Sequence, residues 1–141
     1  MTQVSTPIRV PFPDVDSSGR IHFTAMLRYM EVAEHELMRS LGFPYAVLLQ
    51  SMALPRVHVS CDYRAAVGYD DLLTIEARVE HVGRSSWTVA FTAHILEQEG
   101  RTIEGENDIV AEGRMTIVTM DPQTDRAQPI PDAIRAALLG A

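Results

Sequence analysis

The sequence contains little cysteine, few aromatic residues and no long apolar run. Its single cysteine, Cys61, cannot form a disulfide within the chain, which favours a reducing compartment. No apolar stretch approaches the ~20 residues that cross a bilayer. The opening segment MTQVSTPIRV also lacks the basic and apolar regions of a signal peptide. These absences predict a cytoplasmic protein that does not enter a membrane.

Positive charge is scarce as well, because 12 basic residues face 19 acidic ones and the net charge is −7. Such a chain binds nucleic acid and anionic membranes poorly, so we expect neither as a partner. The sequence has no G-x-G-x-x-G or Walker loop, no G-x-S-x-G elbow, and no H-E-x-x-H or paired C-x-x-C. We therefore expect no cofactor and no metal, although residue counts alone do not exclude a Ser–His–Asp triad.

The length of 141 residues predicts one domain, residues 1–141, with a single core, because the chain is too short for two ordinary domains. A strand is predicted over 5–12, a long helix over 23–41, and short helices near 44–51 and 132–139. Apolar and polar residues then alternate in four further segments, namely 57–63, 73–80, 87–95 and 109–117. This pattern is typical of an antiparallel sheet with one apolar face. The sequence therefore predicts an α+β fold in which about five strands cover one long helix.

The segment VPFPDVDSSGRIHFTAMLRYME, residues 10–31, places two acids beside the predicted start of the long helix. A carboxylate there can attack a carbonyl or activate water, and the first helix amides can stabilise the oxyanion that forms. Asp14 and Asp16 are also good turn and cap residues, so a purely structural role stays open for each.

The motif in this segment resembles that of the hotdog-fold acyl-CoA thioesterases of the 4-hydroxybenzoyl-CoA thioesterase family. That motif reads roughly D-x-D-x-x-G-x-V-x-[FYN]…Y-x-E, and here it spans Asp14 to Phe23 and then Tyr29 to Glu31. Three weaker similarities support it, at residues 68–76, 83–86 and 129–132. The resemblance covers nearly the whole chain and implies a hotdog fold.

The resemblance also implies an activity, the hydrolysis of acyl-CoA to a carboxylic acid and free CoA. Asp16 would be the nucleophile or general base, and the backbone N–H of Phe23 would polarise the thioester carbonyl. The turn Arg84-Ser85-Ser86 would lie near the phosphates or pantetheine arm of CoA. Glu31 would reach the acyl pocket of a partner subunit, or else lie in solvent or at an interface.

Several points are left open by the sequence. Thr24-Ala25-Met26 stands where many family members have His or Asn, so no role is assigned to His22. Arg56, Arg64 and Arg84 are candidate cations for the CoA phosphates. The alternative to an enzyme is a non-catalytic hotdog module that binds acyl thioesters, and a hydratase is a weaker possibility. Exposed sheet edges predict a homodimer or homotetramer, whereas the acyl group and its carrier are not determined.

Overall fold

The computed structural model describes residues 2–105 and 108–140. A 3₁₀ turn at Phe12–Asp14 precedes the long helix. In chain order the elements are β1 (Gln3–Arg9), α1 (Phe23–Ser40), α2 (Tyr45–Leu48), β2 (Arg56–Tyr63), β3 (Leu72–Val82), β4 (Ser86–Gln98), β5 (Arg101–Thr102), β6 (Ile109–Val118), β7 (Met120–Asp121), β8 (Arg126–Ala127) and α3 (Asp132–Leu139).

One antiparallel sheet carries the fold, with strand order β1-β3-β4-β6-β2 and β5 paired to β4. β7 and β8 form a separate hairpin. The predicted α+β architecture is confirmed, since five long antiparallel strands are paired in this sheet. The prediction missed β5, β7 and β8, because each has two residues and is too short to show an alternating pattern.

The core lies between α1 and one face of the sheet. Met26, Met30 and Leu37 recur at helical spacing and are at most 1% exposed, as the apolar stripe predicted. They belong to one buried cluster with strand residues such as Ile75 and Phe91. Because the two apolar faces exclude water together, the helix is held across the sheet and its first turn is fixed in position.

Gly113 on β6 allows a close approach between helix and sheet. A Cβ at this position would lie 2.7 Å from the Met30 sulfur and 2.6 Å from the Ser60 carbonyl oxygen. Both distances are shorter than real Cβ contacts, and the second involves the backbone of the neighbouring strand. Any larger residue would therefore move the helix or disturb the pairing of β2 with β6.

The helix boundaries agree closely with the prediction, except that α2 is shorter than the predicted segment 44–51. α1 ends at Ser40, one residue before the predicted end, and Gly42 follows with a φ of +87°, where glycine is unstrained. α3 has the predicted bounds. Within the described ranges, no helix is both long and apolar enough to cross a membrane.

β2 departs from the prediction that its apolar face is buried. The side chains of Val57, Val59 and Tyr63 are 64%, 45% and 48% exposed. The strand forms one edge of the sheet, so it has a neighbour on one side only within the described part of the chain. The alternation correctly indicated a strand, but it did not indicate that the strand lies at an edge.

Candidate active site

The loop that carries Asp16 is a tight antiparallel turn between β1 and α1. Val15 and Ile21 form a β-bridge, and the Asp16 N–H donates to the Arg20 carbonyl at 2.9 Å. The turn is closed by the Gly19 N–H, which donates to the Asp16 carbonyl at 3.1 Å. Gly19 has a φ of +82°, a conformation that residues with a Cβ rarely adopt. This local geometry fixes the backbone of Asp16 before the helix begins.

The Asp16 side chain is exposed, and one of its two carboxylate oxygens is occupied. Oδ1 accepts hydrogen bonds from the Ser18 hydroxyl and from the Ser18 N–H, the latter at 2.8 Å. These two bonds, with a smaller electrostatic effect from His22, lower the pKa of Asp16 below its ordinary value. No donor among the described residues bonds to Oδ2. Asp16 is therefore ionised at neutral pH and keeps one oxygen available.

Asp14 has a different environment, since both of its carboxylate oxygens are used. Oδ2 accepts from the Tyr29 hydroxyl at 2.7 Å and Oδ1 from the Arg28 guanidinium at 2.8 Å. The Tyr29 bond and then Arg28 lower the pKa of Asp14. The carboxylate thus ties the 3₁₀ turn to the second turn of α1. These contacts support the structural role that the sequence analysis left open for Asp14.

The first turn of α1 is capped by His22, whereas the sequence suggested Asp16 as a possible cap. The Thr24 N–H donates to the His22 Nδ1 at 3.3 Å. Among the described residues, none accepts a hydrogen bond from the Phe23 N–H. The Phe23 carbonyl accepts from the Tyr63 hydroxyl, and burial raises the pKa of Tyr63 to about 12, so the phenol stays protonated. The Phe23 amide therefore remains available at the positive end of the helix.

Asp16 and Phe23 line the same cavity, which has a volume of about 430 Å³. Apolar side chains form much of its wall, and two arginines and a serine also line it. Its lining consists of Asp16, Ser18, Arg20, Ile21, Phe23, Met26, Tyr63, Arg64, Ala65, Ala66 and Val67. The structure thus brings together an ionised carboxylate, an unused helix amide and an apolar wall. This combination can hold a thioester carbonyl and stabilise the charge that develops on its oxygen.

The predicted turn Arg84-Ser85-Ser86 does not reach this cavity within one chain. It lies at the far end of β3, whose 11 residues run from Leu72 to Val82. The first and last of these residues are about 33 Å apart at 3.3 Å per step. The carbonyl of Arg84 accepts from Ile130 N–H at 3.0 Å, so the turn is held by the C-terminal segment. The role of these three residues toward CoA stays a prediction.

Glu31 also lies outside the cavity. Its side chain is 49% exposed, and its carboxylate lies 3.4 Å from the Arg56 guanidinium on β2. Arg56 is itself bonded to the buried Glu34 at 2.6 Å, so it is not an unpaired cation for CoA. Arg64 does line the cavity, but it is paired with Glu112 at 2.8 Å. Of the three arginines proposed from the sequence, only Arg64 is near Asp16.

Two polar residues of the cavity, Arg20 and Tyr63, were missed by the sequence analysis, as was its apolar wall at Ala65, Ala66 and Val67. Arg20 lies at a position of the D-x-D-x-x-G-x motif where any residue is allowed. The only signal that could have indicated its importance is its place directly after Gly19 of the motif. Tyr63 lies at the end of β2, 40 residues beyond the backbone carbonyl that it contacts. No local pattern signals such a contact. Within the described residues, no three His, Cys, Asp or Glu side chains are grouped as metal ligands.

Comparison with known proteins identifies the family. The family model described as "Thioesterase superfamily" matches residues 18–101, a range that begins just after Asp16. A 1,4-dihydroxy-2-naphthoyl-CoA hydrolase of Synechococcus sp. strain CC9605 is 32% identical over 132 residues, covering 89% of this chain and 82% of that protein. The acyl-CoA thioesterase YbgC of Haemophilus influenzae is 35% identical over 80 residues, which are 55% of this chain and 59% of that protein. The matched region is thus less than two thirds of the second relative.

A solved structure shows the same fold over the full length. The crystal structure of a 1,4-dihydroxy-2-naphthoyl-CoA thioesterase from Synechocystis superposes with a TM-score of 0.83 at 17% identity, covering 98% of this chain and 96% of that chain. At this identity the likeness concerns the fold alone. Together with the family match over more than half of the sequence, it shows that the chain is a hotdog-fold member of the thioesterase superfamily.

Proposed function

We propose that this thioesterase hydrolyses acyl-CoA, releasing a carboxylic acid and free CoA, with the Asp16 carboxylate as nucleophile or general base. The names of the Synechococcus and Haemophilus relatives support the substrate class, since both are CoA thioester hydrolases. The observation that carries the proposal is the free Oδ2 of Asp16 in the cavity that also contains Phe23.

The first possible route is nucleophilic. Asp16 Oδ2 attacks the thioester carbon, and the carbonyl oxygen becomes an oxyanion that the Phe23 N–H stabilises. The carbon–sulfur bond then breaks, the thiolate of CoA leaves and a mixed anhydride remains on Asp16. Water hydrolyses the anhydride, which releases the acid and regenerates the carboxylate.

The second possible route is general-base catalysis. Asp16 takes a proton from water as that water attacks the same carbon, and the oxyanion is stabilised in the same way. When the carbon–sulfur bond breaks, the proton passes to the leaving thiolate. The lowered pKa of Asp16 keeps the carboxylate ionised at neutral pH, as either route requires.

Hydrolysis of a panel of aryl, short-chain and long-chain acyl-CoAs, scored by kcat/KM, tests the function. Turnover of at least one of them supports the proposal. Binding of these thioesters without turnover would instead indicate the non-catalytic module. A single turnover in ¹⁸O-labelled water tests the nucleophilic route, because label in the Asp16 carboxylate requires an anhydride whose aspartyl carbon is attacked by water. Label in the product acid is expected from general-base catalysis and also from water attack on the acyl carbon of the anhydride.

We further propose that the protein acts as a dimer joined through β2. The two sheet edges differ in suitability for pairing. β1 contains Pro7, which has no N–H to donate to another strand, whereas β2 has none and exposes Val57, Val59 and Tyr63. A second copy that pairs with β2 would cover these apolar side chains and extend the sheet. A tetramer would need a further contact.

Such a dimer would also resolve the separation between Asp16 and the predicted CoA turn. The start of β2 lies at the same sheet end as Ser86, since Arg56 pairs with Ile117 and Ser86 with Val118. Antiparallel pairing would place the start of the partner's β2 beside the Tyr63 end of this chain, where Asp16 lies. The partner subunit's Arg84 would then lie on the side of this cavity, two to three strand spacings, or roughly 10–14 Å, from the partner's β2.

Substitution at the β2 edge tests the dimer. Val59→Asp should give a monomer in light scattering and lower activity, because a buried unpaired carboxylate opposes association. Leu139→Asp is the matched control, since Leu139 is 47% exposed on α3, which packs against β3 and not against the β2 edge. If the Val59→Asp variant and the wild type have the same mass, the β2 interface is wrong.

A further inference from the structure

Arg20 differs from most arginines of this protein because its side chain has no partner among the residues that the structure describes. Seven arginines pair with a carboxylate in the described part of the chain: Arg9, Arg28, Arg39, Arg56, Arg64, Arg78 and Arg114. Arg20 forms no ion pair and no side-chain hydrogen bond with any residue that the structure describes, and only its backbone N–H reaches the Ser18 hydroxyl. An unpaired guanidinium on a chain of net charge −7 is available for an external anion.

Arg20 lies where two cavities meet. One is the Asp16 cavity, and the other has a volume of about 500 Å³. They share Ser18, Arg20, Ala66 and Val67, so they adjoin along one wall. The remaining lining of the second cavity is more polar, consisting of Gly19, Gly68, Tyr69, Asp71, Gln98 and Glu99. A ligand whose carbonyl lies at Asp16 can therefore extend past Arg20 into a polar space.

The backbone around Arg20 is fixed relative to both cavities. Its carbonyl accepts from the Asp16 N–H at 2.9 Å, and the residue forms a β-bridge with Gly68. The Gly68 N–H donates at 2.8 Å to Asp71, which is 2% exposed and also accepts from Gln98 at 3.0 Å. The wall of the second cavity is thus a hydrogen-bonded unit attached to the Asp16 loop. Arg20 keeps its place beside the reacting carboxylate without a partner of its own.

We propose that Arg20 binds an anionic group of the substrate, a carboxylate or a phosphate, that extends from the thioester into the second cavity. The inference rests on the proposed function, because it takes the bound thioester as its reference point. Arginine suits either anion, since its planar N–H fork matches both oxygen pairs. The anion has two possible sources, a carboxylate at the distal end of the acyl group or the phosphates of the carrier.

Four uncleavable thioethers test the proposal and separate the two sources. They are the alkyl and ω-carboxyalkyl thioethers of CoA and of pantetheine, in which a CH₂ replaces the reacting carbonyl. Pantetheine lacks the nucleotide and its phosphates, so each analogue carries either, both or neither of the two anions. Calorimetry gives the Kd of each for the wild-type protein and for Arg20→Gln.

We expect Arg20→Gln to weaken binding of the anion-bearing analogues by at least about 5-fold, a typical effect for a charge-assisted contact with partial exposure. A loss confined to the two ω-carboxyalkyl compounds identifies the acyl carboxylate, and a loss confined to the two CoA compounds identifies the phosphates. Arg20→Lys should recover part of either loss. Arg126→Gln is the charge-matched control, because Arg126 is exposed on the separate β7–β8 hairpin.

Two results would overturn the inference. The first is an equal loss for all four compounds, including the neutral alkyl pantetheine, which would mean that Arg20 maintains the shape of the loop. The second is a pattern no different from that of Arg126→Gln. Because these analogues are never cleaved, the result does not depend on turnover, and failure of the proposed hydrolysis would appear separately as inactive wild-type protein.

Discussion

The two carboxylate clusters on α1 contain the same side-chain types but differ in their electrostatics. Near the start of the helix, Asp14 is bonded to Arg28 and Tyr29, and these partners lower its pKa. The Arg28 side chain is 56% exposed, so water still solvates this cluster. The charged form of the carboxylate is therefore the favoured one.

In the middle of the helix, Glu34 is bonded to Arg56 and Tyr45 but is fully buried. Burial raises the pKa of Glu34, and this effect exceeds the opposite effects of Arg56 and Tyr45. The comparison teaches that solvent access, and not the identity of the partners, decides in which direction the pKa of a carboxylate shifts.

Asp16 combines features that neither cluster has. It is ionised like Asp14, but its Oδ2 has no partner among the described residues and faces solvent, whereas both oxygens of Asp14 are hydrogen-bonded and Glu34 is buried beside Arg56. The same chemical group thus has a structural role at two positions and is available for reaction at the third. Four substitutions test this comparison.

The largest effect is expected for Glu34→Ala, which leaves the Arg56 cation without its buried partner. We expect a loss of about 3 kcal/mol in the free energy of unfolding, the low end for breaking a buried pair because Glu31 remains nearby. Urea denaturation measures it. The matched control is Glu36→Ala, which breaks an exposed pair with Arg39 and should cost at most about 1 kcal/mol. Equal losses for the two variants would show that burial is not the deciding factor.

The next effect concerns the reactive oxygen. Asp16→Asn should lower kcat by at least about 100-fold, while the fold persists because the amide oxygen can still accept from Ser18. Asp14→Asn should keep kcat within about 3-fold, since that carboxylate has no oxygen to offer. Steady-state kinetics on a good acyl-CoA substrate measures kcat for both variants and the wild type. Near-normal turnover by Asp16→Asn, or an equal defect in both variants, would refute the assignment.

A smaller effect is expected for Asp14 in stability. Asp14→Asn should cost about 1–2 kcal/mol at neutral pH through the weakened bonds to Arg28 and Tyr29. Because the folded-state pKa of Asp14 is lowered from 3.8, its contribution is complete above the unfolded value and is lost as the pH falls through the folded value. Urea denaturation at neutral and acidic pH should show wild type and variant converging in acid. A difference that grows in acid would contradict the lowered pKa.

The smallest effect is expected for Ser18→Ala, which removes the hydroxyl that contributes most to the lowered pKa of Asp16. The acid limb of kcat/KM should move to higher pH, toward that of an ordinary aspartate, while the rate at neutral pH changes less than about 3-fold. Ser17→Ala is the control in the same exposed loop. An acid limb that stays in place would mean that another group produces it.

Much of the fold was predictable from local sequence patterns. The period of 3.6 residues located α1, and the period of two located β2, β3, β4 and β6. These periodicities arise because each element presents one face to a common core, so they can be recognised from the order of apolar and polar residues within a short segment. The loop acids were recognisable for a similar reason, since turn residues and a following helix are contiguous.

The sequence could not indicate which distant residues would meet. The spacing that identified β3 and β4 as strands did not show that their turn, with Arg84, lies at the opposite end from Asp16. Nor did it show that Tyr63 reaches Phe23, or that Glu34 is sealed while Glu31 is half exposed. The sequence thus located the loop that carries Asp16, but it did not identify Arg20 or Tyr63 as part of the cavity around it.

By itself, the sequence determined the helices and the five long strands, the family resemblance and the position of Asp16 as the candidate catalytic acid. Only the tertiary structure decided the solvent access and hydrogen-bond partners of each carboxylate, and it alone placed Arg20 between two cavities. The physical reason is that periodicity depends on backbone geometry over a few residues, whereas burial and pairing depend on sheet order and on contacts between residues far apart in the chain.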